Sequence, residues 1–236
     1  MNQNVLRETD DAARTLARKL IREAPFAALA VNEPETGFPL ASRVLLATDI
    51  DGTPVILVSR LSVHTQAMER DPRVSLLTGE PGKGDPLAHP RLTTRCHVSP
   101  VIRESDHHER LRQRFLDLHK KAKNYIDFPD FNLLRLEPVS ANLNGGFGKA
   151  YFLEGTDIVR QNALAAYQWF DLTYAKKHAE VIFEKAKKKE YTLITIDPEG
   201  IYIKKGDATE RSEFAKTAEN HDDVFTFVRD IVEKIP

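Results

Sequence analysis

One arginine and a run of hydroxyl and imidazole side chains stand in this chain at the spacing an anion site would need. Arg43 lies in Phe38-Pro39-Leu40-Ala41-Ser42-Arg43-Val44-Leu45-Leu46, and Ser59, Ser62, His64 and Thr65 follow shortly after it. A phosphate ester calls for a fixed cation and several oriented donors. Arg43 offers a bidentate fork, and Ser59, Ser62 and Thr65 offer hydroxyls. His64 adds a donor that is partly charged near neutral pH. The backbone amides of Ser62 to Thr65 open a short predicted helix, and helix N-termini favour anions. The same residues also fit a plainer reading, in which Ser62 caps that helix and Arg43 pairs with a surface carboxylate. Spacing alone leaves both open.

Holding these groups together requires a strand, a turn, a second strand, a helix and a third strand over Phe38 to Leu77. Asp51-Gly52 between two apolar runs is a hairpin signal. Val55 to Ser59 is the second strand, Val63 to Glu69 the helix and Arg73 to Thr78 the third strand. Around this stretch the pattern predicts an amphipathic helix over Glu8 to Arg22, ended by Pro25, and a strand over Phe26 to Val31. Strands follow over Leu92 to Val101, Phe131 to Glu137 and Val139 to Asn144, with a charged helix over Glu104 to Lys121 before them. Pro81 to Pro90 reads as a loop.

Composition changes near Leu153 to Asp157. Beyond it, Val159 to Lys189 reads as helix broken near Asp171. Tyr191 to Ile196 and Gly200 to Lys204 form a hairpin, and Asp222 to Ile235 a last amphipathic helix. The expected architecture is α+β: a six-to-seven-strand antiparallel unit over residues 1–153, which the resemblance given next makes an antiparallel split β-barrel, then a small α-β-β-α domain over residues 158–236.

Ser42 to Leu46, Ser62-Val63-His64 and Asp71-Pro72-Arg73-Val74-Ser75-Leu76-Leu77 together resemble the flavin-mononucleotide site of the pyridoxamine-5′-phosphate oxidase-like split β-barrels. The resemblance runs from about Ala12 to Tyr151. It implies that Arg43, Ser62, Val63 and His64 hold the flavin phosphate, that Val44 and Leu45 pass along the ring, and that Ser59 lies near the ribityl chain, with Thr65 in the same cradle. Thr48 stands where the oxidases proper carry lysine, and Val63 and His64 where they carry two basic residues.

Arg60 to Thr65, Asp85-Pro86-Leu87 and Gly145-Gly146-Phe147-Gly148-Lys149-Ala150 resemble the HugZ-type haem-utilisation branch. The tail from Tyr167 to Ile235 resembles the small domain often fused to that branch. This implies a homodimeric oxidoreductase that binds haem near the dimer interface and opens the ring with oxygen and an electron donor. A non-catalytic haem or flavin carrier of the same fold is the alternative.

The branch uses a histidine from a C-terminal extension as iron ligand. No histidine lies in the last dozen residues here, which turns attention to His178 and His221. Each is equally readable as a helix-surface or helix-start residue, and a single imidazole suffices for a haem. His107 and His108 read as part of a solvated helix face. The glycines at 145, 146 and 148 suit a turn, or a close approach of a flat ring with Phe147 stacking. Trp169 and Phe170 read as core anchors of the tail domain.

The bulk properties narrow the classes. With 236 residues, 41% hydrophobic and 29% charged, the chain is an ordinary globular composition with a substantial core. A formal net charge of -1 argues against a nucleic-acid or anionic-membrane field. The single cysteine, Cys96, permits no intrachain disulfide. No stretch is apolar over a membrane-spanning length, and the first thirty residues are charged throughout, so a cytoplasmic protein is expected.

Overall fold

The computed structural model describes residues 6–160 and 164–235. The chain divides into two compact units, residues 1–159 and 160–236.

In the first unit, α1 (Asp11–Arg22) leads into β1 (Phe26–Asn32), β2 (Pro39–Thr48), β3 (Pro54–Ser59), α2 (Val63–Arg70), β4 (Arg73–Thr78) and β5 (Arg91–Pro100). Then come α3 (Asp106–Leu118), β6 (Phe131–Asn144), β7 (Ala150–Glu154) and the single turn α4 (Gly155–Ile158). The strands hydrogen-bond in the order β3-β2-β1-β4-β5-β6-β7, and β3 also pairs with β6. Six antiparallel strands thus close into a barrel, with β7 added outside β6. Closure removes the exposed strand edges that an open sheet would leave. The expected split barrel is therefore present.

The barrel is split because β2 and β3 stay paired only over Leu46–Ile56 to Thr48–Pro54. Beyond Leu46, β2 remains with β1 and β3 remains with β6. The helix α2 leaves the far end of β3, and its Ala67 and Met68 join the buried cluster of Val44, Val58, Leu29, Leu76 and Leu136. Two apolar side chains from a helix thus complete a core that strands alone leave open.

Two local features differ from the sequence pattern. Pro138 does not divide two strands, since β6 runs through it. The register with β5 shifts between Arg95 and Cys96, so Arg95 faces Ser140 and Cys96 faces Pro138. The extra residue, Val139, bulges outward, and the proline, which has no N–H to donate, sits at the bulge. Beside it, a Cβ on Gly155 would lie 2.1 Å from the Pro138 carbonyl oxygen, so only glycine lets β7 turn back there. The strand β7 itself carries little period-2 signal in Ala150-Tyr-Phe-Leu-Glu and is an addition to the predicted elements.

The second unit holds α5 (Leu172–Lys185), β8 (Tyr191–Asp197), β9 (Gly200–Lys205), β10 (Ala208–Glu213) and α6 (His221–Lys234), with the sheet in the order β10-β9-β8. The expected hairpin and flanking helices are there, and β10 adds a third strand. Its sequence, Ala-Thr-Glu-Arg-Ser-Glu, has no apolar alternation, because its one inward residue is Arg211. That guanidinium is buried on Asp197, with Nη1 and Nη2 donating to the carboxylate at 2.7 and 2.9 Å. Asp171 caps α5 by accepting from the Tyr174 N–H at 2.9 Å, which is where the predicted helix was expected to break.

Candidate functional site

The anion cradle is built, but most of its donors are already engaged. Arg43 is exposed on β2, its guanidinium 5.1 Å from the centroid of the Phe26 ring, with no hydrogen bond or ion pair among the described residues. Continuing the β2–β3 register past Leu46–Ile56 would bring Arg43 level with Ser59, at the end from which α2 starts. The Ser59 hydroxyl, however, donates to Asp130 and accepts from the Leu61 N–H at 3.1 Å. Ser62 occupies the N-cap position of α2 yet does not cap it. Its hydroxyl donates back to the Ser59 carbonyl at 2.6 Å. The N–H groups of Val63 and His64 are left without a protein acceptor, as first-turn amides usually are.

Thr65 is 5% exposed, and its hydroxyl oxygen has no hydrogen-bond partner. Burial holds the His64 pKa below its ordinary value, which favours the neutral ring at neutral pH. Val44 is 5% exposed in the barrel core, so only its backbone can face a ring. Leu45 packs on the other side, against the cluster of Phe115 and Leu133. Thr48 is buried, and its carbonyl accepts from the buried Arg114 at 2.6 Å. What the cradle can offer an anion is therefore one free cation, Arg43, and two helix amides.

Sequence reasoning missed a second feature, the outward face of β2, β1, β4 and β5. The registers set residues of one face in rows. Arg43, Ala28, Leu77 and Thr93 form one row. Ala41, Ala30, Ser75, Arg95 and Ser140 form the next. Pro39 with Asn32, and Arg73 with His97, continue the face. The middle of the face is small and apolar: Ala28, Ala30 and Ala41 are exposed, and Leu77 is 45% exposed. Its two sides carry cations. The signal was available in the alternation, since Thr93-Thr94-Arg95-Cys96-His97 places Arg95 and His97 on one face of a strand.

At one side of this face a cavity of about 350 Å³ is lined by Ala30, Ser75, Arg73, Arg95, His97 and Val139 among others. Arg73 is held by Asp71 through two bonds of 2.7 and 2.8 Å, and it holds that carboxyl well below the usual carboxylate range. Arg95 donates at 3.2 Å to the neutral Ser140 hydroxyl, and His97 has no side-chain partner among the described residues. Among the described residues the cavity thus presents one guanidinium, that of Arg95, without a carboxylate partner, and beside it the His97 imidazole. Cys96 lines it too, but burial pushes its thiol up to about 12, so it is inert as a nucleophile at neutral pH.

The two candidate iron ligands separate clearly. Both belong to the second unit and to a cluster of rings with Trp169, Tyr174 and Phe225. His221 accepts the Asp171 backbone N–H at Nε2, at 3.2 Å, which uses the lone pair a metal would need. His178 is exposed on α5, and its Nδ1 lies 3.0 Å from the Tyr174 carbonyl oxygen, which can only accept. A proton on Nδ1 satisfies that contact, and Nε2 has no protein partner among the described residues. That is the tautomer and orientation in which an imidazole ligates a metal. Trp169 is partly and Phe170 largely buried in this cluster, as core anchors.

One further expectation is corrected, and the turn reading of the glycine cluster is met. His107 and His108 do not form a solvated face: His107 Nε2 lies 2.7 Å from the buried Asp49 carboxylate, and His108 is 9% exposed. The apolar period of α3 hid this, because the contact depends on where the β2–β3 turn folds. Gly145 to Gly148 form the β6–β7 turn, closed by the Gly145 N–H on the Lys149 carbonyl at 2.8 Å, and Phe147 is 70% exposed, with no ring contact among the described residues. Among the described residues no three His, Cys, Asp or Glu side chains converge as a metal site.

The sequence matches the model of the CREG β-barrel family over residues 7–157. The chain belongs to that family. It is 33% identical over 119 residues to a protein of Arabidopsis thaliana named non-canonical heme oxygenase HOZ, chloroplastic, covering 50% of this chain and 36% of that one. The chain thus matches about a third of the length of that relative. A protein of unknown function from Agrobacterium tumefaciens, Atu2129, has a similar structure, with a TM-score of 0.77 at 24% identity over 94% of this chain and 96% of that chain. A heme binding protein from Mycobacterium smegmatis superposes with a TM-score of 0.58 at 22% identity, over 96% and 98%. Campylobacter jejuni ChuZ does so with 0.56 at 18%, over 67% and 65%. These structural likenesses carry the fold. Membership in the split-barrel superfamily with haem-utilisation relatives, expected from the motifs, stands. No helix among the described residues is long and apolar enough to cross a membrane.

Proposed function

We propose that this protein is a haem-handling split barrel, and that the outward face of β2, β1, β4 and β5 is where it holds the ring. The observation that carries this reading is the face itself: a floor of Ala28, Ala30 and Ala41 between Arg43 on one side and Arg95 and His97 on the other. A flat ring needs an apolar floor without protruding side chains, and carboxylate-bearing ligands need cations that are not already paired. The residues present fit such a group. The named activity of the Arabidopsis relative and the named ligand of the mycobacterial neighbour agree with it.

Flavin mononucleotide is the second candidate, and the cradle gives it less. Ser59 and Ser62 spend their hydroxyl protons inside the protein, His64 favours the neutral form, and Thr48 lies beneath Arg114 where a cation would be wanted. Each charge-assisted phosphate contact contributes about 1.5–3 kcal/mol, so a site with Arg43 as its one free cation holds the phosphate weakly.

When bound, haem would supply the redox chemistry, activating oxygen with electrons from an external donor. The chain's own part would be to seat the ring on this face and to meet its carboxylates with Arg95. Such a face suits either ring-opening driven by the group itself or simple haem carriage. A homodimer would cover the apolar floor with a second copy.

Purified protein titrated with haemin, and separately with flavin mononucleotide, tests the reading. A saturable Soret band with weak or absent flavin binding supports it. Tight flavin binding without a Soret band overturns it. Adding a reductant and oxygen to the haem complex then separates degradation, where the band decays, from carriage, where it persists. Light scattering showing a strict monomer with haem bound would remove the dimer from the account.

A further inference from the structure

We infer that the cavity beside Val139 is the carboxylate end of the ligand site, with Arg95 as the principal contact and His97 as the second. This rests on the haem reading above and assigns an orientation to the ring: propionates toward β5, away from Arg43.

Four observations support it. The bulge at Val139 and the register shift between Arg95 and Cys96 open a cavity of about 350 Å³ on an otherwise closed sheet surface. Bulges re-aim side chains next to functional sites, and this one sits beside Arg95 and His97. The cations here differ in how far they are committed. Arg73 is doubly bonded to Asp71, and Asn32 also donates to that carboxylate, so this trio is self-contained. Arg95 spends one N–H on a neutral hydroxyl, and His97 spends none among the described residues. At the other side of the face, Arg43 lies against the Phe26 ring, an arrangement that a flat aromatic ligand can extend by stacking rather than by ion pairing. The two sides therefore suit the two ends of an amphipathic ring. Across the strands between them, three spacings of about 4.8 Å give roughly 14 Å, and the floor over that span is alanine, serine and leucine.

Besides Asp71, the remaining titratable groups near the cavity are Glu137, which shares Arg135 with Asp49 and Asp51, and Cys96. Glu137, opposite His97 in the ladder, is bonded to Arg135 at 2.9 Å, and Cys96 stays protonated. Any di- or monocarboxylate with an apolar body meets the same chemistry, so the probe must vary the carboxylates alone.

Haemin and haemin dimethyl ester, which differ only in whether the two carboxylates are free, provide that probe. Titrations of the full chain are followed in the Soret band, with Arg95→Gln, Arg95→Lys and His97→Gln beside the native protein. The native protein is expected to prefer haemin over the ester by about tenfold or more, the equivalent of one charge-assisted contact. Arg95→Gln should close most of that gap by weakening haemin and leaving the ester unchanged, Arg95→Lys should restore part of it, and His97→Gln should narrow it less. Arg95 is exposed, so the fold is expected to survive, and thermal unfolding of each variant verifies this. A native protein indifferent to esterification, or an Arg95→Gln variant that keeps the full preference, overturns the assignment while leaving haem binding intact. Absence of saturable binding by either compound overturns the haem reading itself.

Discussion

The barrel keeps two groups of arginines in opposite states. At the β2–β3 turn, Asp49 and Asp51 are fully buried, and Arg135, Arg110 and His107 converge on them. Arg135 bonds both carboxylates, the Thr53 hydroxyl at 3.0 Å and Glu137 at 2.9 Å. Arg22 packs over the same turn. It lies so close that a Cβ on Gly52, at φ +89°, would come within 2.4 Å of its Nη2. On the outward face, Arg43 and Arg95 have no carboxylate partner among the described residues. A buried charge without a partner is intolerable, whereas an exposed one costs little. The first group therefore reports on folding, and the second is free to report on a ligand. A cation that is exposed, unpaired and set beside an apolar floor is the informative kind.

The largest expected effect breaks the buried group. Asp49→Ala removes the buried carboxylate on which Arg135, Arg110 and His107 converge, leaving Asp51 and Glu137 as the carboxylates bonded to Arg135. It should cost about 3–5 kcal/mol of stability, measured by urea unfolding, while the folded fraction keeps its haemin affinity. A loss below about 1 kcal/mol would place this network with the surface pairs.

Arg95→Gln should do the reverse: stability within about 0.5 kcal/mol of native, with the affinity loss described above.

The two histidines of the second unit give a smaller contrast. His178→Ala removes an exposed imidazole and should have little effect on urea unfolding. His221→Ala should lower stability by about 1 kcal/mol through the lost acceptor for the Asp171 N–H. Equal unfolding midpoints for the two variants would remove the contrast between them.

The smallest effect is one of pH. Burial lowers the His119 pKa in the folded state, although its Nε2 donates to the Leu46 carbonyl at 2.8 Å. The unfolded chain then binds the proton first. Stability should hold above the ordinary value of about 6.5 and fall as pH drops from there toward the folded value. His119→Gln should flatten that part of the profile.

The barrel was legible because its strands alternate, its turns carry Gly and Pro, and the Phe38 to Leu77 segment combines several local signals. The cradle residues were legible as types, but their availability was not. Whether the Ser59 hydroxyl is free depends on Asp130, 71 residues away. The outward face was hidden for a related reason: Arg43, Ala28, Ser75 and Arg95 become neighbours through strand registers. Likewise, β10 escaped notice because its buried residue is an arginine, which an apolar pattern does not reveal.

Ala30 lies at the centre of the face and points outward, so Ala30→Glu tests the account most directly. It puts a carboxylate on the floor without touching the core or any cation's partner. The account predicts unchanged thermal unfolding and at least a tenfold loss of haemin affinity, from the combined loss of apolar contact and repulsion of the ligand's carboxylates. Native haemin affinity in a folded Ala30→Glu protein would contradict it and place the ring elsewhere.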